Sequence, residues 1–189
     1  MFDKLKKFLS TFDNLTKEKL AEIERHTSMV SLAKGDFFLK AGRICHQIGF
    51  VAEGIFRVYQ LEDHQEITCA FAQENQFVVD LDSFNLHQPA REYIQALTEA
   101  HLIVISHRQL QNLFAELPEF MHLYQQILQK SLLDKLKIKN IFLAEEPTQR
   151  YEFFLTHYPD IIQRVPLIHI ASYLGITPQS LSRIRKNLV

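Results

Sequence analysis

The chain lacks tryptophan and has only two cysteines, Cys45 and Cys69, among its 189 residues. Two thiols cannot form a disulfide framework, and an iron–sulfur cluster normally needs four thiolates. Small disulfide-bonded secreted scaffolds and cluster-bearing electron carriers are therefore excluded. A reducing, cytoplasmic setting is expected.

Long apolar runs are also missing. No stretch approaches the roughly 20 apolar residues of a membrane span, and the polar residues after Leu9 leave no signal-peptide segment. We therefore expect no membrane partner. The formal net charge is −1, so the whole chain shows no excess of basic charge. The ending SLSRIRKNLV, however, has three cations and no anion, which indicates that any basic surface is local.

The composition is typical of a globular protein with a substantial core, since 47% of the residues are apolar and 23% are charged. Residues 1–26 have helical periodicity, with a possible helix cap at Asn14. From Met29 to Ile105 the pattern changes to short strand-like runs separated by turn residues, which predicts an all-β sandwich or barrel. These runs are GFVAEG, GIFRVYQL, EITCAFA, YIQAL and HLIVIS.

A long helix is predicted after Pro118 and up to about Leu143, a stretch in which no glycine or proline interrupts the chain. Its apolar residues form two adjoining sides, an arc wider than one partner covers. The helix is either the core helix of a single domain, or it packs its own barrel on one side and a second copy on the other. In the dimer hypothesis Ile127 and Ile138 lie at the contact. One side has Phe120, Leu123, Tyr124, Ile127, Ile138, Ile141 and Phe142, and the other has Met121, Leu128, Leu132, Leu136 and Leu143.

A break at Glu145 to Thr148 separates this helix from a helical C-terminal region. The predicted fold is α+β, with a sensor-type domain over 1–117, a dimerisation helix over 118–145 and a small all-α domain over 146–189.

The most specific motif is LIHIASYLGITPQSLSRIRK, residues 167–186. Its pattern matches a helix-turn-helix, in which fixed apolar positions, a small residue and a turn glycine allow two helices to cross closely. Ala171 is the small residue and Gly175 the turn, while Thr177 and Pro178 suit the cap and first position of the second helix. The apolar positions are Ile170, Leu174, Ile176, Leu181 and Ile184.

The opposite face of the second helix has side chains able to bond base edges and phosphates. Arg183 is the expected base reader, whereas Arg185 and Lys186 are placed for phosphates. The alternative is a helical hairpin with a merely solvated polar face. The predicted DNA-binding residues are Thr177, Gln179, Ser180, Ser182, Arg183, Arg185 and Lys186.

Over nearly its whole length the chain resembles the Crp/Fnr superfamily of transcription regulators, through GFVAEGIFRVYQL, the helix after Pro118 and ASYLGITPQSLSRIRK. The resemblance implies a cyclic-nucleotide-binding-like jelly roll, a homodimer through the long helix, and promoter binding to double-stranded DNA, with RNA polymerase as a further partner. Arg183 corresponds to the family's main base-reading arginine. Because the chain stops at Val189, we expect most or all of the family's β-hairpin wing to be lacking.

The resemblance also places an effector pocket, but with departures from the cyclic-nucleotide pattern. Asp80 stands where the family has a glutamate, Arg91 keeps the phosphate-binding cation, and Glu92 replaces a serine or threonine. A carboxylate beside the phosphate would repel it, so we expect neither cyclic AMP nor cyclic GMP to bind. Another small effector or no ligand stays open, as does a surface salt bridge of Arg91 with Glu92 or Asp82. The candidate pocket residues are Asp80, Leu81, Ser83, Arg91, Glu92 and Lys135.

Other chemistry has little support in the sequence. The nine histidines show no spacing to one another or to carboxylates that predicts a metal site, and no residue stands out as a haem ligand. No cofactor is expected to be required. A cupin-type enzyme would need a set of histidine and glutamate metal ligands on its strands, and this sequence lacks one. The main hypothesis is a DNA-binding regulator, and the alternative is a β-barrel module that binds a ligand or protein without binding DNA.

Overall fold

The computed structural model describes residues 1–188, apart from the side chain of Leu143, so that side chain and Val189 lie outside the described residues. Two short helices, α1 (Phe2–Leu9) and α2 (Lys17–Arg25), precede a β sandwich. Its strands are β1 (Ser28–Leu32), β2 (Phe37–Leu39), β3 (Gln47–Glu53), β4 (Phe56–Glu62), β5 (Gln65–Ala72), β6 (Phe77–Val78), β7 (Tyr93–Ala96) and β8 (Ala100–Ser106).

The strands form two antiparallel four-stranded sheets, ordered β1-β8-β3-β6 and β2-β7-β4-β5. Strands β4 and β5 make a hairpin whose two-residue turn, Asp63 and His64, has positive φ at both positions, as a tight hairpin requires. Buried aromatic and aliphatic side chains from both sheets fill the space between them. The predicted mixed fold with a β sandwich is confirmed.

The N-terminal region is helical, as predicted for residues 1–26, but the second helix is capped at Thr16 and not at Asn14. Helix α1 ends at Leu9, and α2 begins only at Lys17, after Thr16, whose hydroxyl accepts a hydrogen bond from the Lys19 amide. Serine and threonine hydroxyls compete for backbone hydrogen bonds. The hydroxyls of Ser10 and Thr11 donate to the carbonyls of Lys7 and Phe8, and the helix stops there.

The remaining helices follow the sandwich, except for α3 (Leu81–Leu86), which lies between β6 and β7. None of the helices within residues 1–188 is both long and apolar enough to cross a membrane. They are α4 (His107–Glu116), α5 (Phe120–Ala144), α6 (Pro147–His157), α7 (Pro159–Arg164), α8 (Leu167–Leu174) and α9 (Pro178–Asn187).

The long helix α5 has two faces of different character. Phe120, Leu123 and Ile127 are buried against the sandwich, with Ile127 only 8% exposed. The placement of Ile127 at a dimer contact is therefore wrong, because this side chain belongs to the core of its own chain. Helical geometry alone could not decide which apolar side faces the sandwich.

The opposite side of α5 carries an outer stripe, defined as Met121, Leu128, Leu132 and Leu136, which is set roughly 150° around the helix from the buried side. Leu132 is 58% exposed and Leu136 is 45% exposed. Every residue from 131 to 137 is exposed. No other element of the described chain covers this part of α5.

The C-terminal helices pack directly on the sandwich. Their core includes Phe154, Leu174 and Leu181 together with Ile55 and Leu97 from the sandwich. Helix α8 lies against β5, where the Thr68 amide donates to the Ser172 hydroxyl at 2.9 Å and that hydroxyl donates to the Glu66 carbonyl at 3.2 Å. The division at residues 117 and 145 stays a prediction, as does the absence of a wing.

Candidate functional site

Helices α8 and α9 are joined by a short turn that begins at Gly175. Gly175 adopts the left-handed conformation, with φ 69°, which glycine reaches without a steric penalty. Arg150 secures the end of α8 by donating from Nη1 to the Leu174 carbonyl at 2.9 Å. The Thr177 hydroxyl accepts from the Ser180 amide at 3.1 Å, and Pro178 is the first residue of α9. The predicted turn, cap and first helical position are confirmed.

One face of this helix pair is packed and the other is open. Ile170, Ala171, Leu174 and Leu181 are buried, and Ile176 and Ile184 are packed against them. Helix α9 has no acidic residue, and its last turn carries Arg185 and Lys186. It therefore presents an anion-compatible surface to solvent. The exposed side chains of the predicted set are Thr177, Gln179, Ser182, Arg183, Arg185 and Lys186.

Ser180 differs from the rest of the set. It is half-buried, and its hydroxyl accepts a hydrogen bond from the Thr177 hydroxyl at 3.0 Å. The Ser180 side chain is bonded to the residue that caps α9, so it is less available to an external partner than its neighbours are. The roles of the seven residues stay predictions.

A separate cavity of about 460 Å³ lies where α3, β4, the start of β7 and α5 meet. All six residues predicted for the effector pocket line it: Asp80, Leu81, Ser83, Arg91, Glu92 and Lys135. Sequence reasoning missed the other lining residues, which are Gln60, Val79, Asp82, Leu86, Gln88 and Pro89. Gln60 gave no signal because it belongs to a strand far from the others along the chain.

Protein groups already satisfy the polar atoms at one end of this cavity. Asp80 Oδ1 accepts from the Ser83 amide at 3.0 Å and so caps α3. The Ser83 hydroxyl accepts from the Cys45 amide at 2.8 Å and donates to the Gln88 carbonyl at 2.5 Å. A carboxylate of the chain thus occupies the position at which α3 would otherwise offer an amide to an anion.

Glu92 is another of the carboxylates that line the cavity, with Asp80 and Asp82. Gln60 Nε2 donates to its Oε1 at 3.2 Å. Burial raises the pKa of Glu92 above its ordinary value, and the charges of Asp80 and Asp82 raise it further, while the bond from Gln60 and the charge of Lys135 act in the opposite direction. The ionised side chain is therefore held at a cost in free energy.

This shift predicts a pH-dependent effect of Glu92→Gln on stability. Because the pKa is raised in the folded state, the protonated form stabilises the fold below the ordinary pKa, and this contribution is lost as pH rises through the raised value. Glu92→Gln should therefore have a larger free energy of unfolding in urea than the wild type at pH 7.5, and this difference should be smaller at pH 4.5. Glu62→Gln, at an exposed hairpin position, is the control. A gain of equal size at both pH values would contradict this assignment.

A buried polar network connects the sandwich to α8. Arg57 on β4 is 1% exposed, and it donates from Nε to the Thr68 hydroxyl at 2.8 Å and from Nη1 to Glu66 Oε2 at 2.5 Å. The Ser172 hydroxyl of α8 forms hydrogen bonds with the backbone of Thr68 and Glu66 on β5. Arg57 and Ser172 thus bond to the same two residues of β5, Thr68 and Glu66, a link that the sequence does not reveal.

Comparisons with known proteins agree with this architecture. Residues 29–116 match the cyclic nucleotide-binding domain family, whereas no curated protein matches the chain significantly. The fold is similar to that of the cyclic di-GMP-responsive global regulator CLP of Xanthomonas campestris, at 19% identity and a TM-score of 0.71, over 92% of this chain and 91% of CLP.

Two further structures cover similar lengths. A CooA mutant from Carboxydothermus hydrogenoformans has 20% identity and a TM-score of 0.68, over 93% of this chain and 84% of CooA. The catabolite activator protein of Thermus thermophilus has 17% identity and a TM-score of 0.59, over 96% and 86%. The chain therefore contains a cyclic nucleotide-binding domain fold and shares the overall fold of Crp/Fnr-type regulators.

The cavity lining carries more carboxylates than cations. Its carboxylates are Asp80, Asp82 and Glu92, and its cations are Arg91 and Lys135. A phosphate is bound by cations and free amide donors, and here Asp80 already accepts a hydrogen bond from the Ser83 amide. The balance of charge in this lining is therefore unfavourable for a cyclic phosphate.

Proposed function

We propose that the chain is a homodimeric, DNA-binding transcription regulator of the Crp/Fnr type, in which α8 and α9 form the helix-turn-helix. The observation that carries the proposal is α9 itself. Leu181 packs the inner face of α9 into the core, and Thr177 caps the start of the helix. The outer face has no acidic residue and presents Arg183 to solvent. A rigid helix of this kind enters the major groove with its polar side chains against base edges.

The proposed dimer forms through α5. The outer stripe is apolar, its residues Met121, Leu132 and Leu136 are exposed, and it lies on the side of the helix opposite the sandwich. A second copy related by a two-fold axis would cover the same stripe on both chains. This arrangement supports the pairing of two α9 helices about 34 Å apart on successive turns of DNA. RNA polymerase is the further partner that we propose for such a promoter-bound dimer.

The cavity at α3 is the proposed effector site. Its volume of about 460 Å³ lies within the roughly 300–1,000 Å³ of ordinary small-molecule pockets. Lys135 brings the dimerisation helix to the cavity wall, so a molecule bound there touches both the sandwich and α5. We propose a small effector other than cyclic AMP or cyclic GMP.

We expect titration calorimetry to show no binding of cyclic AMP or cyclic GMP tighter than about millimolar, equivalent to only ~4 kcal/mol. The reason is the three carboxylates, Asp80, Asp82 and Glu92, that line the cavity. Glu92→Ser, which removes one of them, is the matched comparison and should bind no more weakly than the wild type. Micromolar binding of either nucleotide by the wild type would show that the carboxylates are tolerated.

The DNA-binding proposal is tested by the salt dependence of affinity for duplex DNA. Arg185 and Lys186 lie in the last turn of α9, where they are placed for phosphates. Arg185→Ala or Lys186→Ala should weaken binding to all sequences alike and reduce the slope of log K against log salt by about one unit per lost contact. Lys34→Ala, an exposed cation on the sandwich, should leave the slope unchanged.

The alternative function, a ligand or protein interaction module without DNA binding, makes the opposite prediction. It expects no salt-dependent affinity for duplex DNA and no effect of Arg185→Ala or Lys186→Ala. Absence of salt-dependent affinity of the wild-type protein for duplex DNA would overturn the proposed function.

A further inference from the structure

Three side chains from two helices meet beside the N-terminal end of the sandwich. Glu22 and His26 are four residues apart, on α2 and at its C-terminal cap, and Glu116 is the last residue of α4. One donor atom from each lies within 4.8 Å of the other two. Glu22 and His26 are four residues apart and so share one face of a helix, a spacing that was not recognised in the sequence.

One donor spacing already suits a small cation. His26 Nε2 lies 3.5 Å from Glu116 Oε1, close to the roughly 3.4 Å that separates donors bound tetrahedrally to zinc at about 2.0–2.2 Å. Glu22 Oε1 lies 3.5 Å from the other ring nitrogen, Nδ1, so the Glu22 carboxylate would move toward Nε2 to share an ion with it. Glu116 is the exposed member of the three, so its side chain is free to adjust.

Two features of the cluster point to a ligand. Glu22 Oε1 is buried and has no hydrogen-bond partner among the described residues, although the other oxygen of Glu22 pairs with Arg25. His26 is only 9% exposed, and its Nδ1 lies 3.0 Å from the Glu22 carbonyl. A bond from Nδ1–H to that carbonyl leaves the Nε2 lone pair facing Glu116, the arrangement that orients metal-binding histidines.

We propose that Glu22, His26 and Glu116 bind a divalent transition-metal ion of the zinc class, with a water completing the coordination. Imidazole and carboxylate donors suit such an ion. The ion clamps α2 to the end of α4. Nearby, Lys19 of α2 and Glu119, the residue that precedes α5, form an ion pair at 2.8 Å. The site is separate from the cavity and from α9, so the proposal does not depend on DNA binding.

The test is calorimetric titration of the full-length protein with zinc chloride at pH 7.5, after removal of metal with a chelator. We expect one zinc ion per chain with micromolar or tighter affinity, and a rise in melting temperature with zinc. His26→Gln and Glu116→Gln should each weaken binding at least ten-fold. Glu119→Gln, which removes a neighbouring carboxylate outside the cluster, should bind like the wild type.

Glu116→Gln keeps the test decisive if His26→Gln fails to fold, because the Glu116 side chain is half-exposed at a helix end. Absence of zinc binding tighter than about millimolar by the wild type would overturn the proposal and leave His26 as an ion-pair partner of the two glutamates. Unchanged affinity in the folded cluster variants would also overturn it, since the zinc would then be bound by other residues.

Discussion

The double variant Leu132→Glu/Leu136→Glu should be monomeric at tens of micromolar and should bind a two-half-site operator at least 100-fold more weakly than the wild type. Both leucines are exposed on the outer stripe, on the opposite side of α5 from the core residues Leu123 and Ile127. Glutamates there place like charges in a two-fold interface, whereas the sandwich is untouched. A dimer that binds two half-sites at once commonly has an affinity about 10²–10⁴-fold higher than one binding unit alone, and a monomer loses this gain.

Light scattering and circular dichroism measure the two parts of this prediction, the loss of the dimer and the retention of the fold. Lys137→Glu changes the charge of the chain as much as the double variant does, and it lies off the outer stripe, so it should stay dimeric. Ile127→Glu is a different kind of change, because Ile127 is a core residue, and it should unfold the sandwich. A dimeric, fully DNA-competent double variant would show that α5 is not the interface.

Arg183→Ala should cost about 1–3 kcal/mol per half-site and relax the preference at one base position. The side chain is exposed on the face of α9 opposite Leu181, and a guanidinium there can donate two hydrogen bonds to O6 and N7 of a guanine. In a two-fold dimer the loss applies to both half-sites. Specificity should therefore fall more than general affinity.

Arg183→Lys separates base reading from charge. Lysine keeps the positive charge but lacks the planar fork of donors, so the lysine variant should keep the salt slope of the wild type while losing much of the discrimination at that base. Measurements on the preferred site and on a duplex changed at that one base pair give both quantities. Equal discrimination by wild type, Arg183→Ala and Arg183→Lys would assign base reading to another residue.

Local signals in the sequence predicted the C-terminal helices well. Thr177, Pro178 and Gly175 each act within a few residues of their own position, through a cap, a preset φ and a left-handed turn. The same local chemistry at Ser10 and Thr11, which ends α1, was not recognised, and the cap of α2 was predicted at Asn14, two residues before its place at Thr16. The helix period of α5 identified both of its apolar sides but not which side the sandwich covers.

Contacts between distant parts of the chain were not predictable in the same way. Glu22 and His26 are visible as a pair on one helix, but Glu116 joins them only through packing of α2 against α4. Likewise Gln60 reaches Glu92 because β4 and β7 are neighbours in the sheet. The six predicted cavity residues came from the resemblance to a known family, since composition and periodicity alone would not have grouped them.

The central claim, that α9 reads DNA as part of a dimer, is tested most directly by selection from random duplexes at two salt concentrations with the full-length wild type and Arg183→Ala. We expect the wild type to enrich a two-fold-symmetric site whose half-sites lie about one DNA turn apart, roughly 34 Å. Arg183→Ala should enrich a site that is degenerate at one position in each half. If the wild type enriched no symmetric site, or if both proteins enriched the same site equally well, the claim would be contradicted.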